Sequence, residues 1–290
     1  MSHSGTTISI PVEVTNPGQF FACCGLLELA SRMGLAFEGW FEGRSFRLSG
    51  AADLQPILAQ VRDLVVGTTM TQAQEARLAV LSSMKKGERE AVDGAEEEKK
   101  ALESLRRELP VRLSGSVELL VDWYADEFAG GARFKTWAGQ QSVLDIAHAM
   151  HRGFARALLA GEPSLWAGVR QIGLPFNFDS DLGAQGAARD VGFSFDQLDN
   201  ATTAIQGMSR PGLEFLAFVG LQRFRPREAG RNRFLYAAWS SPLPLSIAAA
   251  AACCALPLRK TPVYEFRLLH RTKYLKSFLP AVLFQGDTDG

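Results

Sequence analysis

The chain has 290 residues, 47% of them hydrophobic, which is enough to bury one large core or two modest ones. No apolar run reaches the roughly 20 residues that span a bilayer. The nearest, PLPLSIAAAAACCALPL (242–258), is short, alanine-rich and bracketed by prolines, so a buried helix is expected there. The zero net charge hides an asymmetry: residues 207–290 hold 12 Lys/Arg against 5 Asp/Glu, a balance of +7 that the remainder offsets with −7. Such a basic C-terminal third suits local binding of nucleic acid or of an acidic partner.

From the N-terminus, MSHSGTTISIPVEV has no basic region followed by an apolar one, so no signal peptide and a cytoplasmic location are expected. TISIPVEV (7–14) alternates and is β-branched, which predicts a strand. Asn16-Pro17-Gly18 predicts a turn, QFFACCGLLELASRMG (19–34) a helix stopped by Gly34, and FEGWFEGRSFRLSG (37–50) a β-hairpin. AADLQPILAQVRDLV (51–65) reads as a helix. The order strand, helix, strand, strand, helix predicts an α+β fold whose N-terminal portion (1–69 and 109–130) is ferredoxin-like. Residues 70–108 are densely charged with mixed sign, a solvated helical or mobile insertion with i, i+4 pairs such as Glu96–Lys100 and Glu103–Arg107.

VRLSGSVELLVDWYADEF (111–128) resumes the strand pattern, and FKTWAGQQSVLDIAHAMHRGFARALLAG (134–161) turns into an amphipathic helix with Leu144, Ala147, Met150, His151 and Phe154 inward. Residues 172–206 are loop-rich. The C-terminal portion (131–290) is expected to be mixed and more helical: a helix at 211–221, an arginine-rich extended part at 222–239, the alanine-rich helix, and a strand at 262–271.

The segment 207–234 packs six arginines among aromatic and apolar residues: Arg210, Arg223, Arg225, Arg227, Arg231 and Arg233. Guanidinium groups offer a planar fork of donors for phosphate and a flat face for bases. In an extended QRFRPR run, opened by Gln222, alternate residues Arg223, Arg225 and Arg227 would line one surface. Lys260, Arg267, Arg271, Lys273 and Lys276 extend the basic balance. In FKTWAGQQS (134–142), Lys135 supplies a point charge, Trp137 a stacking ring, and Gln140 and Gln141 amides for base edges. A helix cap with a buried tryptophan is the plainer alternative.

Other groups point less clearly to chemistry. Asp179, Asp181, Asp190 and Asp196 match no metal motif, and turn capping or pairing with the arginines is the simpler reading. His148 and His151, three apart on a helix, lack a surrounding zinc signature. The adjacent pairs Cys23-Cys24 and Cys253-Cys254 read as buried free thiols of a reducing compartment. No nucleophile elbow, phosphate loop or paired-carboxylate motif stands out, so neither catalysis nor a cofactor is expected.

Four stretches carry a resemblance: NPGQFFACCGLLELA (16–30), FKTWAGQQSVLDIA (134–147), ARDVGFSFDQLD (188–199) with RPGLEFLAFVGLQRFRP (210–226), and the following W-x-x-PLP (239–244). In their order and spacing the chain resembles the CRISPR-associated Csb/large-subunit proteins of type I-U (also called I-G) effector complexes. The resemblance implies a non-catalytic subunit of an RNA-guided DNA-binding assembly in antiviral defence. Its partners would be crRNA, target DNA, backbone subunits and a helicase-nuclease, with no membrane. Such a subunit contacts the PAM duplex or steadies the displaced strand while base pairing reads the sequence. A protein-only adaptor and a metal-dependent nuclease using Asp179, Asp181 or Asp190 are the rival readings.

Overall fold

The computed structural model describes residues 6–34, 36–125, 131–137, 142–161, 170–171, 175–182, 208–256, 258, 261–271 and 275–285. The fold is α+β, with several antiparallel sheets and intervening helices.

Strand β1 (Thr7–Pro11) leads to helix α1 (Pro17–Arg32). Asn16 caps α1 by accepting from Gln19 N at 3.3 Å, and Pro17 takes the first helical position, where no N–H is needed. Gly34, at φ +90°, sits just past its C-terminal end. The hairpin β2 (Glu38–Glu42) and β3 (Ser45–Ser49) follows, with Phe41, Phe46 and Leu48 turned inward. β3 lies between β1 and β2 and is antiparallel to both, which is the first half of a ferredoxin-like arrangement.

The second half is not built. After α2 (Gln55–Arg62), strand β4 (Val65–Thr68) joins a different sheet, with β5 (Val111–Ser114) and β6 (Leu119–Val121). Helix α7 (Val143–Leu159) holds it there: His148 Nε2 donates to Val66 O at 2.8 Å and His151 Nε2 to Val61 O at 2.9 Å. Leu144, Ala147, Met150, His151 and Phe154 form the buried face of α7 as its periodicity predicts.

Between β4 and β5 the charged stretch folds into α3 (Gln72–Ser83), α4 (Lys86–Glu90) and α5 (Ala95–Glu108). Leu78, Leu81 and Ala95 are buried there, outside the main core. Ion pairs Arg77–Glu98 (2.5 Å), Arg89–Glu96 (2.8 Å) and Glu103–Arg107 (4.0 Å) cross it, and Glu96 takes Arg89 where Lys100 was expected. Each exposed pair adds at most about 1 kcal/mol.

Beyond β6, a short helix α6 (Gly131–Phe134) precedes α7, and strands β7 (Arg170–Gln171) and β8 (Met208–Ser209) pair before helix α8 (Pro211–Gly220). The chain then forms β9 (Arg227–Glu228), β10 (Arg233–Ala237), β11 (Leu243–Pro244), α9 (Leu245–Ala252), β12 (Val263–Arg271), β13 (Leu275–Phe278) and β14 (Val282–Leu283). β11 completes the first sheet at the β2 edge, in the order β1-β3-β2-β11. A five-stranded sheet runs β13-β12-β10-β9, with β14 also on β12; the sequence reading has only part of it.

Helix α1 is the spine of the core. Residues 17–30 are all buried. Phe20 stacks on Phe41 and Tyr236 at 4.9 and 4.2 Å, so the helix is gripped between the two large sheets. Each fully buried phenylalanine contributes about 1.5–3 kcal/mol. The α1–α8 crossing is backbone on backbone. A Cβ on Gly25 would lie 1.9 Å from Leu216 O, and one on Gly220 would lie 2.1 Å from Phe21 O.

Candidate nucleic-acid interface

The arginines divide into two sets. The first faces inward along the α1–α8 pair. Asp179 is fully buried, and its two oxygens each take a residue that opens a helix. Asn16 Nδ2 donates to Oδ1 and Arg210 to Oδ2, both at 2.8 Å. Arg210 also reaches Asp181 at 3.4 Å. Beside them the buried Glu214 accepts from Phe178 N (3.2 Å) and Asp179 N (3.1 Å). Burial pushes the Glu214 carboxyl up to about 8, and the charge on Asp179 acts in the same direction. The N–H groups of residues 177–179 pull it back. This node binds the 175–182 segment to both helix starts.

Arg223 belongs to the same set by its partner, although its own side chain is 39% exposed. It lies in the turn after α8, not in an extended run. Its Nε donates to the fully buried Glu28, which also takes Arg32 Nε at 2.6 Å. Gln222 is turned inward too: its Oε1 accepts from Asp122 N (2.9 Å) and Trp123 N (3.1 Å), while Nε2 donates to Asp122 Oδ1 at 2.9 Å. Arg225 is half-buried next to the Cys253 thiol. The expected row Arg223–Arg225–Arg227 is therefore not present. Phe224, fully buried near Trp239, anchors the turn.

The second set faces outward on the five-stranded sheet. Phe234 and Tyr236 of β10 point into the core, against Phe266 and Phe20, so Arg233, Leu235 and Ala237 point away from it. Register places Arg267 opposite Arg233, and Leu235 between Glu265 on one side and Arg227 on the other. Arg227, Arg233, Arg267 and Glu265 thus share one face. Glu265 Oε2 accepts from Arg233 Nε and NH2 at 3.0 and 2.6 Å, and its Oε1 accepts from Arg267 Nε at 3.0 Å. Hydrogen bonding from Arg233, then from Arg267, holds the Glu265 carboxyl below its ordinary range despite partial desolvation. The Arg267 side chain is 62% exposed and that of Arg233 33%. Arg227 and, in the β9–β10 turn, Arg231 are exposed.

The tryptophan of FKTWAGQQS is not a platform for bases. Trp137 is buried and packs on Trp123, Tyr124 and Phe176 at 5.2–5.6 Å, which bears out the plainer alternative for the ring. Lys135 is half-buried beside it. Gln140, Gln141 and Lys273 lie outside the described residues, as do the side chains of Arg271 and Lys276. Of the aspartates weighed for metal binding, Asp179 and Asp181 belong to Arg210, and Asp190 and Asp196 lie outside the described residues. Among the described residues no three His, Cys, Asp or Glu side chains are grouped to hold a metal ion.

Cys23 and Cys24 are buried free thiols, pushed up by desolvation, while Cys253 and Cys254 are half-buried and free. No helix among the described residues is long and apolar enough to cross a membrane.

Two features escape sequence reading. Glu265 is the counter-charge of the outward face, and the alternation in VYEFRLLHR already sets Glu265 and Arg267 on one side. The Asn16–Asp179–Arg210–Glu214 node leaves only a faint trace, the Asn-Pro-Gly and Arg-Pro-Gly starts of α1 and α8. No protein-family model matches this chain, and no curated protein or solved structure is detectably similar to it.

Proposed function

We propose that this chain is a non-catalytic subunit of an RNA-guided DNA surveillance complex of the CRISPR type I kind. In that role it grips a nucleic-acid backbone through the outward face of the five-stranded sheet. The observation that carries the reading is the cluster Arg227, Arg233 and Arg267 with a single carboxylate, Glu265, among them. Arg227 is exposed and Arg267, 62% exposed, gives only its Nε to Glu265, so both present guanidinium donors outward, and Arg231 adds another at the adjoining turn. Guanidinium groups on a rigid sheet match phosphate oxygens with little loss of side-chain freedom. The resemblance of four separate stretches supports the assignment to an effector complex. The Arg210 pairing of Asp179 and Asp181 speaks against a nuclease centre at those carboxylates.

The test is co-purification of the chain with guide RNA and effector subunits, followed by target-DNA binding. The triple variant Arg227→Ala/Arg231→Ala/Arg267→Ala should assemble but bind DNA at least tenfold more weakly at physiological salt. Unchanged affinity in that variant, or cleavage of DNA by the chain alone with Mg²⁺ or Mn²⁺, would overturn the reading.

A further inference from the structure

Every aromatic side chain of the described part of the five-stranded sheet lies on its inner face. Phe234, Tyr236, Tyr264, Phe266 and Phe278 stack on one another or on α1. By alternation, the outward positions of β10 and β12 whose side chains are described are Arg233, Leu235, Ala237, Val263, Glu265, Arg267 and Leu269, and register adds Val282 of β14. Leu235 and Ala237 are themselves buried, at 1% and 4% exposure. Proteins that hold unpaired bases on a sheet do so by stacking them on exposed rings, at about 1–3 kcal/mol per base. Among the described residues this face has no such ring: its apolar side chains are aliphatic, and of them Val282, opposite Glu265, is 64% exposed. What it offers is a row of guanidinium groups.

Resting on the proposed function, we infer that this face binds the phosphodiester backbone of nucleic acid and leaves the bases unread. The row is oblique. Arg227 and Arg267 lie two strands apart and one ladder step along, so their Cα atoms are about 12 Å apart. At 3.4 Å rise per nucleotide, that is a footprint of about four nucleotides of one strand. Three phosphate contacts correspond to a salt slope of about −3 on duplex and about −2 on a single strand. Glu265 sets the ceiling on affinity, because it holds the Nε edges of both Arg233 and Arg267.

The full chain is titrated against 20-nucleotide fluorescent probes of oligo-dT, oligo-dA and an abasic phosphodiester, and against a 20-base-pair duplex, over a salt series. The three single strands should bind within about twofold of one another. Arg227→Ala and Arg267→Ala should each flatten the slope by about one on all probes, whereas Lys86→Ala, on the exposed charged insertion, should leave it unchanged. Abasic binding weaker by tenfold or more would overturn the backbone-only inference and leave the proposed function standing. No binding to any probe at about 50 mM salt would overturn both.

Discussion

Arg210 and Arg223 lie along the α1–α8 pair, and Arg227, Arg231 and Arg267 lie on or beside the sheet face. The residue type is the same, but the surroundings are opposite. Arg210 and Arg223 meet carboxylates that are fully buried, Asp179 and Glu28. A buried carboxylate without its cation is costly, so these arginines are bound to the stability of the fold. Arg227 and Arg231 are exposed, and Arg267 gives only its Nε to a shared carboxylate. Their removal leaves no orphaned charge, so any effect should fall on binding. Arginine density along the sequence cannot separate the two sets. Their place in the fold does: Arg210 and Arg223 tie α8 to the 175–182 segment and to α1, whereas Glu265, itself 7% exposed, ties the sheet arginines to one another.

The largest effect tests the inward set. Asp179→Ala should cost about 3–5 kcal/mol, read as a lower urea midpoint, because Asn16, Arg210 and the 175–182 segment lose their common acceptor. Gly25→Ala should cost about 3 kcal/mol by forcing α1 off the Leu216 carbonyl. If either variant kept wild-type stability, the helix pair would not be the structural centre.

The pH dependence comes next. Glu214 has a native value of about 8 against an ordinary 4.5. Its contribution is fully present below about 4.5 and is lost as pH rises toward about 8, at up to about 1.4 kcal/mol per pH unit. His148 and His151 act in the opposite sense. Desolvation lowers both, so their contribution is full above 6.5 and is lost as pH falls through their native values. The urea midpoint should therefore fall between about pH 6.5 and pH 8 in the wild type, and Glu214→Gln should be less stable but flat over that range.

The outward set gives the smallest stability changes and the clearest binding changes. Arg227→Ala and Arg231→Ala should stay within about 0.5 kcal/mol of wild type while weakening polyanion binding. Glu265→Gln should bind duplex several-fold more tightly with a steeper salt slope, because it releases two guanidinium edges from a negative charge. A destabilised Arg231→Ala, or a weaker-binding Glu265→Gln, would remove the distinction between the two sets.

Much of the framework was legible from residue order. The helix expected over 19–34 is α1, with the expected turn Asn16-Pro17-Gly18 serving as its cap and first residues; alternation marks β2 and β3, and the spacing of Leu144, Ala147, Met150 and Phe154 marks the inner face of α7. Those signals are local, because caps and periodicity act within a turn or a strand. The departure of β4 from the first sheet is not legible, since its partner β5 lies beyond the charged insertion and the α7 residue that bonds it, His148, is 82 residues from Val66. The site divides in the same way. Sequence reading counts Arg267 with the basic residues but passes over Glu265, although strand period alone sets the two on one face. The pairing of Arg210 and Arg223 with buried carboxylates is not legible, because those carboxylates, Asp179 and Glu28, are 31 and 195 residues distant.

By itself, then, the amino-acid order determined where helices and strands begin, which residues are apolar enough to face inward, and that positive charge gathers near the C-terminus. Only the tertiary structure decided which of those charges tie α8 to distant segments and which lie on the sheet face. Pairing across long separations is set by how α1, α8 and the sheets pack, and no local pattern encodes that distance.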